Sequence, residues 1–296
     1  MTADLRRSAA HVPTGQFWEL TAENARRESS SSSWAVGAQN FVVQLIHAHE
    51  STELSHVARP HEQLLVLATS TSSASIVSDS GRIEVSGRTV VVLPPGDSRV
   101  QLGAGSQALR LVGRDDGDVA DTVLNRGHES LADERVRPVV PWPLRTGESS
   151  LRAYALDEVA PNPDRLGRIF QCSIGMVNVF YPEDEPRDDT ALTPHTHEDF
   201  EQCTVQLSGD YVHRIRIPWT PQLADWRPDE HRMLSSPAMT LIPARAVHTS
   251  QGVHPGRHQL IDVFSPPRLD WARRPGWVLN GDEYQAPPEL AADVTA

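Results

Sequence analysis

The stretch PHTHEDFEQCTVQLSGD, residues 194–210, decides how this sequence is interpreted. It places His195 and His197 two residues apart, and Glu201 follows just before an alternating segment that ends at Gly209. Side chains two apart on a strand point to the same face, so both imidazoles can reach one ion. A turn or bulge before Glu201 would aim its carboxylate at that ion. Imidazole and carboxylate ligands together predict a transition-metal site.

A further ligand has to come from another strand. The best candidate is His248 in IPARAVHTSQG (242–252), where the chain turns after a predicted strand. On the strand after Gly209, Tyr211 and His213 share one face. If that face points inward, these two side chains are candidate proton donors or substrate contacts. An ordinary polar pattern on an edge strand is the alternative explanation for them.

Short strand-forming runs fill the rest of the chain. They are rich in Val, Ile, Leu and Thr and are bounded by Gly, Pro, Ser and Asp, as in FVVQLIHA (41–48) and GRTVVVLPPG (87–96). This pattern predicts an all-β sandwich or barrel. The best helical candidate, near residues 115–135, is interpreted as a connector.

The two halves of the sequence are similar to each other. HEQLLVLATS (61–70) aligns with FEQCTVQLSG (200–209), and VLPPGDSR (92–99) aligns with LIPARAVH (241–248). Internal duplication explains both matches. Charged and proline-containing segments between the halves indicate the boundary. The predicted organisation is an N-terminal domain over 1–113, a linker over 114–145, a C-terminal domain over 146–284 and a flexible tail over 285–296.

With these motifs the sequence resembles the cupin superfamily and, with two copies, a bicupin. The residues that match the family motifs are His195, His197, Glu201 and Gly209 in the first motif, and Pro243 and His248 in the second. An alanine or arginine replaces the usual central glycine of the second motif, and no asparagine follows it. The resemblance implies two tandem cupin-type, jelly-roll-like antiparallel β-barrels. It further implies that His195, His197, Glu201 and His248 hold one divalent ion in the C-terminal barrel.

The N-terminal copy is predicted to be a degenerate, metal-free barrel. It keeps His56 and Glu62 but has Ala58 and Arg99 at the other two ligand positions. An arginine carries a fixed positive charge and has no lone pair to give to a metal. A structural role is expected for this copy, with a site rebuilt from other histidines as the alternative.

The resemblance implies a metal-dependent enzyme that acts on a small oxygenated metabolite, in first place a dioxygenase with a three-histidine, one-glutamate centre. Isomerase, decarboxylase or lyase chemistry at the same site is the alternative, as is a non-catalytic cupin that binds a small ligand. One divalent ion per chain is expected, Fe(II) first and Mn(II) or another transition metal next. All 27 basic residues are arginines, which excludes a lysine Schiff base.

The composition of the sequence limits the kinds of partner and the location expected for the protein. A formal charge of −12 disfavours nucleic acid. The sequence has no apolar run long enough for a membrane span and no signal-peptide pattern, so a cytoplasmic location is expected. Cys172 and Cys203 are predicted to be buried free thiols. A small-molecule substrate and a homodimer are expected, because sheet edges and the aromatic C-terminal segment need covering.

Overall fold

The computed structural model describes residues 13–127, 133–165 and 167–291, and these residues are almost entirely β structure. The strands are β1 (Gln16–Glu19), β2 (Arg26–Arg27), β3 (Ser31–Gly37), β4 (Phe41–Ala48), β5 (Thr52–Arg59), β6 (Gln63–Leu67), β7 (Ser73–Ser78), β8 (Gly81–Ser86), β9 (Thr89–Leu93), β10 (Gly96–Leu102), β11 (Gln107–Gly113), β12 (Arg152–Ala155), β13 (Gly167–Gln171), β14 (Met176–Phe180), β15 (Glu201–Ser208), β16 (Asp210–Arg216), β17 (Glu230–Ser235), β18 (Ala238–Ile242), β19 (Val247–Val253) and β20 (Gln259–Ser265). The all-β prediction is confirmed.

Helices are short and peripheral in the described ranges. They are α1 (Gly117–Ala120), α2 (Leu269–Ala272) and α3 (Pro288–Ala291). The helical candidate near residues 115–135 therefore yields one turn, α1, and residues 128–132 lie outside the described residues. None of these helices is long and apolar enough to cross a membrane.

The strands form four antiparallel sheets that group into two units. The N-terminal unit has a seven-stranded sheet, ordered β12-β9-β6-β11-β4-β3-β2, and a four-stranded sheet, ordered β5-β10-β7-β8. The C-terminal unit has a six-stranded sheet, ordered β1-β18-β15-β20-β14-β13, and a three-stranded sheet, ordered β17-β16-β19. Each unit thus pairs one large sheet with one small sheet.

Three apolar clusters hold these sheets in four layers. The largest cluster lies between the two large sheets, with Leu109 and Val66 on one side and Cys203 and Ile261 on the other. A second cluster joins the two sheets of the N-terminal unit. A third, around Ile215, joins the two sheets of the C-terminal unit. The strands of both large sheets are consequently buried on both faces.

Two strands cross between the units. β1 precedes the N-terminal unit in the chain but pairs with β18, whereas β12 follows that unit and pairs with β9 of its large sheet. β1 therefore lies in the predicted N-terminal domain but belongs to a sheet of the C-terminal unit, and β12 lies in the predicted C-terminal domain but belongs to a sheet of the N-terminal unit. In the predicted tail, Leu290 is buried beside Trp142 and Tyr284, and residues 292–296 lie outside the described residues.

The two cysteines are buried free thiols, as predicted. Burial raises the pKa of the Cys172 thiol to about 12, so this thiol is inert as a nucleophile at neutral pH. Cys203 lies in the apolar cluster between the large sheets, and burial likewise raises its pKa. Both residues serve packing.

The buried carboxylate of Glu62 connects the two units. It accepts hydrogen bonds from Arg152 Nη2 at 2.8 Å, the Tyr284 hydroxyl at 2.8 Å, Ser149 Oγ at 2.6 Å and the Ser173 backbone N–H at 2.9 Å. Its side chain is only 3 % exposed. Because all four donors come from beyond residue 145, this carboxylate fixes the second half of the chain to the first.

We expect Glu62→Ala to lower the free energy of unfolding by about 3 kcal/mol, because it removes the buried acceptor of Arg152 Nη2 and of the Tyr284 hydroxyl and leaves Arg152 only its pair with Glu283. Urea denaturation followed by circular dichroism measures this. Glu53→Ala is the control, since Glu53 forms an exposed pair with Arg99 and should cost less than about 0.5 kcal/mol. Equal losses in the two variants would contradict the role assigned to Glu62.

The interior of the N-terminal unit holds a buried arginine, but it is not the one expected from the sequence. Arg99 is exposed and pairs with Glu53, so aligning it with His248 was wrong. Arg110 of β11 occupies the interior instead: Nη2 donates to His56 Nδ1 at 2.7 Å, and Nη1 donates to Gln44 Oε1 at 3.0 Å. The guanidinium thus donates a hydrogen bond to the lone pair of His56 Nδ1, which is then not available to a metal.

His56 should make stability depend on pH. Burial, then the charges of Arg110 and Arg59, lower the pKa of His56 to about 2. Below the ordinary histidine pKa of about 6.5, the unfolded chain binds a proton that the folded chain does not, so stability falls as pH falls. His56→Asn should reduce this slope between pH 6 and 4.5 by up to about 1.4 kcal/mol per pH unit.

Urea denaturation across this pH range tests the expectation. His231→Asn removes an exposed histidine and serves as the matched control. The same slope in wild type and His56→Asn would show that His56 takes up its proton in the folded protein.

Candidate metal centre

Backbone pairing brings three of the predicted ligands together. His195 and His248 form an isolated antiparallel bridge, with N–H to O distances of 3.1 and 2.8 Å. His197 lies in the same segment as His195, and its carbonyl accepts a hydrogen bond from Arg245 N at 2.6 Å. Arg245 has φ = +66°, a value that favours glycine. This is the turn where the family motif usually has its glycine, and here an arginine adopts that conformation.

The three imidazole rings face one another. Ring centroids are 4.9 Å apart for His195 and His197, 4.4 Å for His195 and His248, and 5.0 Å for His197 and His248. One nitrogen from each ring lies within 4.8 Å of the others. Across the described ranges, this is the one cluster of histidine, cysteine or acidic side chains with such spacing.

The hydrogen bonds of His195 and His248 leave a lone pair on each ring for a metal. Nδ1 of His195 lies 2.9 Å from the Thr193 carbonyl, and Nδ1 of His248 lies 3.0 Å from the Ala246 carbonyl. A carbonyl oxygen only accepts, so each Nδ1 carries the proton and each Nε2 keeps its lone pair. Nε2 of His248 is buried and has no hydrogen-bond partner among the described residues. These are the donors that an imidazole-bound metal requires.

Burial also keeps the histidines neutral. It lowers the pKa of His197 to about 2, with further lowering from His248 and Arg268. Burial likewise lowers the pKa of His248 to about 4, assisted by the neighbouring His195. Only a neutral imidazole ligates a metal. The cluster therefore fits a divalent ion at physiological pH.

The structure does not bring Glu201 into this cluster, which corrects the predicted ligand set. Glu201 lies on the face of β15 that also carries Cys203 and Val205, and both of these pack in the apolar cluster between the units. Its Oε2 accepts a hydrogen bond from the Gln39 backbone N–H at 2.6 Å. Since side chains alternate along a strand, the carboxylate points to the N-terminal unit and away from the histidines.

The next residue, Gln202, takes the place expected for Glu201. Its Oε1 accepts a hydrogen bond from Nε2 of His197 at 2.9 Å, so this nitrogen carries a proton that it would release on binding a metal. Two ligand atoms bound about 2.1 Å from one ion at a right angle lie roughly 3 Å apart, so this spacing suits adjacent ligands. Gln202 was not among the predicted ligands, because the alternation of Cys203 and Val205 with polar residues separates the two faces of β15 but does not tell which face meets the histidines.

The two predicted catalytic residues lie on the interior face of β16, beyond the three-histidine cluster. His213 is fully buried, and its Nδ1 bonds Ser250 Oγ at 2.8 Å. Tyr211 packs edge-on against His258 with centroids 5.4 Å apart, beside a small cavity of about 100 Å³. Burial lowers the pKa of His213 to about 3 and raises that of Tyr211. Their catalytic role stays a prediction.

A cation stacked on aromatic rings lies beside the histidines. Phe200 stacks on His197 with centroids 4.4 Å apart, and the guanidinium of Arg268 lies 5.4 Å from the Phe200 ring centre. Arg268 also stacks on Trp271 at 3.8 Å and pairs with Asp270 at 2.7 Å. The aromatic contacts hold the guanidinium in one position.

No protein-family model matches this sequence, and no curated protein is significantly similar to it. Solved structures do resemble the fold. AerE from Microcystis aeruginosa is 12% identical, with 86% of this chain and 99% of that chain covered and a TM-score of 0.54. Ylba from E. coli is 14% identical, with 89% and 96% covered and a TM-score of 0.51. A mutant of oxalate decarboxylase from Bacillus subtilis is 10% identical, with 89% and 82% covered and a TM-score of 0.50.

The protein has the cupin fold. At these identities the likeness concerns the fold alone. The position of the histidine cluster rests on the contacts of this chain, which join the segment of His195 and His197 to the strand of His248.

We expect the purified protein to carry about one transition-metal ion per chain, and His197→Ala to lose it. Elemental mass spectrometry on protein prepared without a metal-affinity column measures this. Glu201→Gln is the matched control, because its side chain faces the other unit and the variant should keep its metal. Loss of the ion in Glu201→Gln and not in His197→Ala would contradict the site described here.

Proposed function

We propose that this protein is a metal-dependent enzyme that acts on a small oxygenated metabolite at the three-histidine cluster. The observation that carries the proposal is the set of three converging, neutral imidazoles, with the buried Nε2 of His248 lacking a partner in the described structure. Gln202 replaces Glu201 as the proposed fourth ligand. Such a set leaves room for a substrate on an ion that accepts five or six ligands.

Fe(II) is the first candidate for the ion and Mn(II) the second. When bound, such an ion polarises substrate oxygens or supports reactions with dioxygen. The chain itself supplies the orientation of the donors through Thr193, Ala246 and Gln202. Phe200 and the inward side chains of β15 keep bulk water from the inner side of the cluster, which strengthens electrostatic contacts there.

The charge of the site favours an anionic substrate. None of the four proposed ligands is a carboxylate, so the protein ligands leave the double positive charge of the ion uncompensated. The stacked guanidinium of Arg268 lies close by and, although it pairs with the exposed carboxylate of Asp270, its charge contributes to the lowered pKa values of His197 and His248. A carboxylate or enolate oxygen would supply the missing negative charge. We therefore propose a small hydroxy or keto acid as the substrate class.

Dioxygenase activity remains the first reaction class. It comes from the resemblance to cupins with a three-histidine, one-glutamate centre, of which this site keeps the three histidines. A second class, isomerase, decarboxylase or lyase chemistry, is favoured by Asp262 of β20. Burial, opposed by a hydrogen bond from Thr204 and by Arg268, raises the pKa of Asp262 to about 6. Hydrogen bonds through Thr204 and Gln202 connect this carboxyl group to His197, and a raised pKa suits a carboxyl group to general acid or base catalysis.

Oxygen dependence separates the two classes. We expect protein loaded with Fe(II) or Mn(II) to turn over one member of a panel of small hydroxy and keto acids, with oxalate included because of the structural likeness. Oxygen uptake at an electrode, together with product analysis by mass spectrometry, measures this. Turnover that needs dioxygen supports the dioxygenase, and turnover without it supports the second class.

His197→Ala and Glu201→Gln serve as the inactive and active controls in this assay. Activity that survives in metal-depleted protein and in His197→Ala would refute metal-dependent catalysis at the cluster. Stoichiometric binding of an acid without turnover under either atmosphere would favour a non-catalytic ligand-binding protein.

A further inference from the structure

A chain of hydrogen bonds runs from the histidine cluster into β20. Gln202 Oε1 lies 2.9 Å from His197 Nε2, and Gln202 Nε2 donates to Thr204 Oγ1 at 3.0 Å. Thr204 Oγ1 in turn donates to Asp262 Oδ1 at 2.6 Å. Thr204 is fully buried and Gln202 nearly so. These contacts lie on the interior face of β15 and on the neighbouring β20, which pairs Thr204 directly with Asp262.

The direction of this chain follows from counting protons. A threonine hydroxyl has one proton, and a carboxylate can only accept. Thr204 therefore donates its one hydroxyl proton to Asp262 and can only accept a hydrogen bond from Gln202. Gln202 must then present its NH₂ group to Thr204, which leaves its carbonyl oxygen facing His197. The opposite amide orientation would place two lone-pair donors against each other at the threonine.

This orientation matters because the two ends of an amide differ in what they can bind. The oxygen has lone pairs for a metal, whereas the NH₂ group is a hydrogen-bond donor and has none to give. The two ends are nearly equal in size, so packing alone distinguishes them poorly. A glutamine in this position therefore needs a neighbour that fixes its orientation, and a glutamate, with two equivalent oxygens, does not.

We propose that Thr204 and Asp262 are positioning residues that hold the amide of Gln202 with Oε1 toward the histidine cluster. This inference rests on the proposed metal site and adds to it the means by which a neutral glutamine serves as the fourth ligand. Outer partners of this kind typically change metal affinity 10- to 100-fold.

A double-mutant cycle tests the inference. The dissociation constant for Co(II) is measured by competition with a chromogenic chelator at pH 7.5, and the visible spectrum of bound Co(II) reports its ligand set. Thr204→Val keeps the shape of the side chain but removes the hydroxyl, and we expect Co(II) binding to weaken about 10-fold with a changed spectrum. Thr204→Ser keeps the hydroxyl and should bind within about threefold of wild type.

Gln202→Glu provides the second arm of the cycle. Because both carboxylate oxygens accept, Thr204→Val in the Gln202→Glu background should cost less than about threefold. With Gln202 unchanged, Asp262→Asn should weaken Co(II) binding. An asparagine at position 262 can donate a hydrogen bond to Thr204, so the Thr204 hydroxyl is no longer forced to accept from Gln202. Thermal melting of the metal-free variants checks that each one folds.

The outcomes separate the inference from the proposed site. If wild type binds Co(II) but Thr204→Val binds it equally well, the positioning role is refuted and the site stands. The same refutation follows if Thr204→Val costs as much in the Gln202→Glu background as in wild type, because the effect is then general packing. If wild type binds no Co(II), both the metal site and the positioning role are refuted.

Discussion

The two buried faces of β15 set the constraint on which the site depends. One face, with Cys203 and Val205, packs against the other unit, and the opposite face, with Gln202 and Thr204, lines the interior. A shift of one residue would move every side chain to the opposite face. It would place Glu201 beside the histidines, but it would also turn Cys203 and Val205 out of the apolar cluster between the units. Burial between the units therefore decides which residue can reach the metal.

The predicted internal duplication is supported by contacts that recur in pairs, some between the units and some within each unit. Glu62 accepts a hydrogen bond from the backbone N–H of Ser173, and Glu201 accepts one from that of Gln39. Asn125 brackets the backbone N–H and C=O of Gly37, just as Asn280 brackets those of Gln171. The exchanged strands β1 and β12 form a third pair. Glu201 thus performs the interface role of its counterpart Glu62, which explains why it is a carboxylate.

Sequence patterns predicted what depends on local spacing. The all-β fold followed from short strand-forming runs, and His195 and His197 followed from a spacing of two on an extended segment. Glu201 could not be rejected in the same way, because all but the last two residues of β15 are buried and hydrophobicity does not mark the interior face. The pairing of β1 with β18 involves residues more than 200 positions apart, and no local signal reports such a contact.

The interiors of the two units satisfy their buried polar side chains in different ways. Arg110 is the fourth residue of β11, and Asp262 is the fourth residue of β20. In the N-terminal unit the guanidinium of Arg110 satisfies His56 and Gln44 directly, so a positive charge is built into the chain. In the C-terminal unit an acidic group stands at that position, and its hydrogen bonds run through Thr204 and Gln202 toward His197. A carboxylate there complements a cation at the cluster, whereas an arginine would repel it, so this exchange of charge adds to the loss of ligand residues, as at Ala58, in the N-terminal unit.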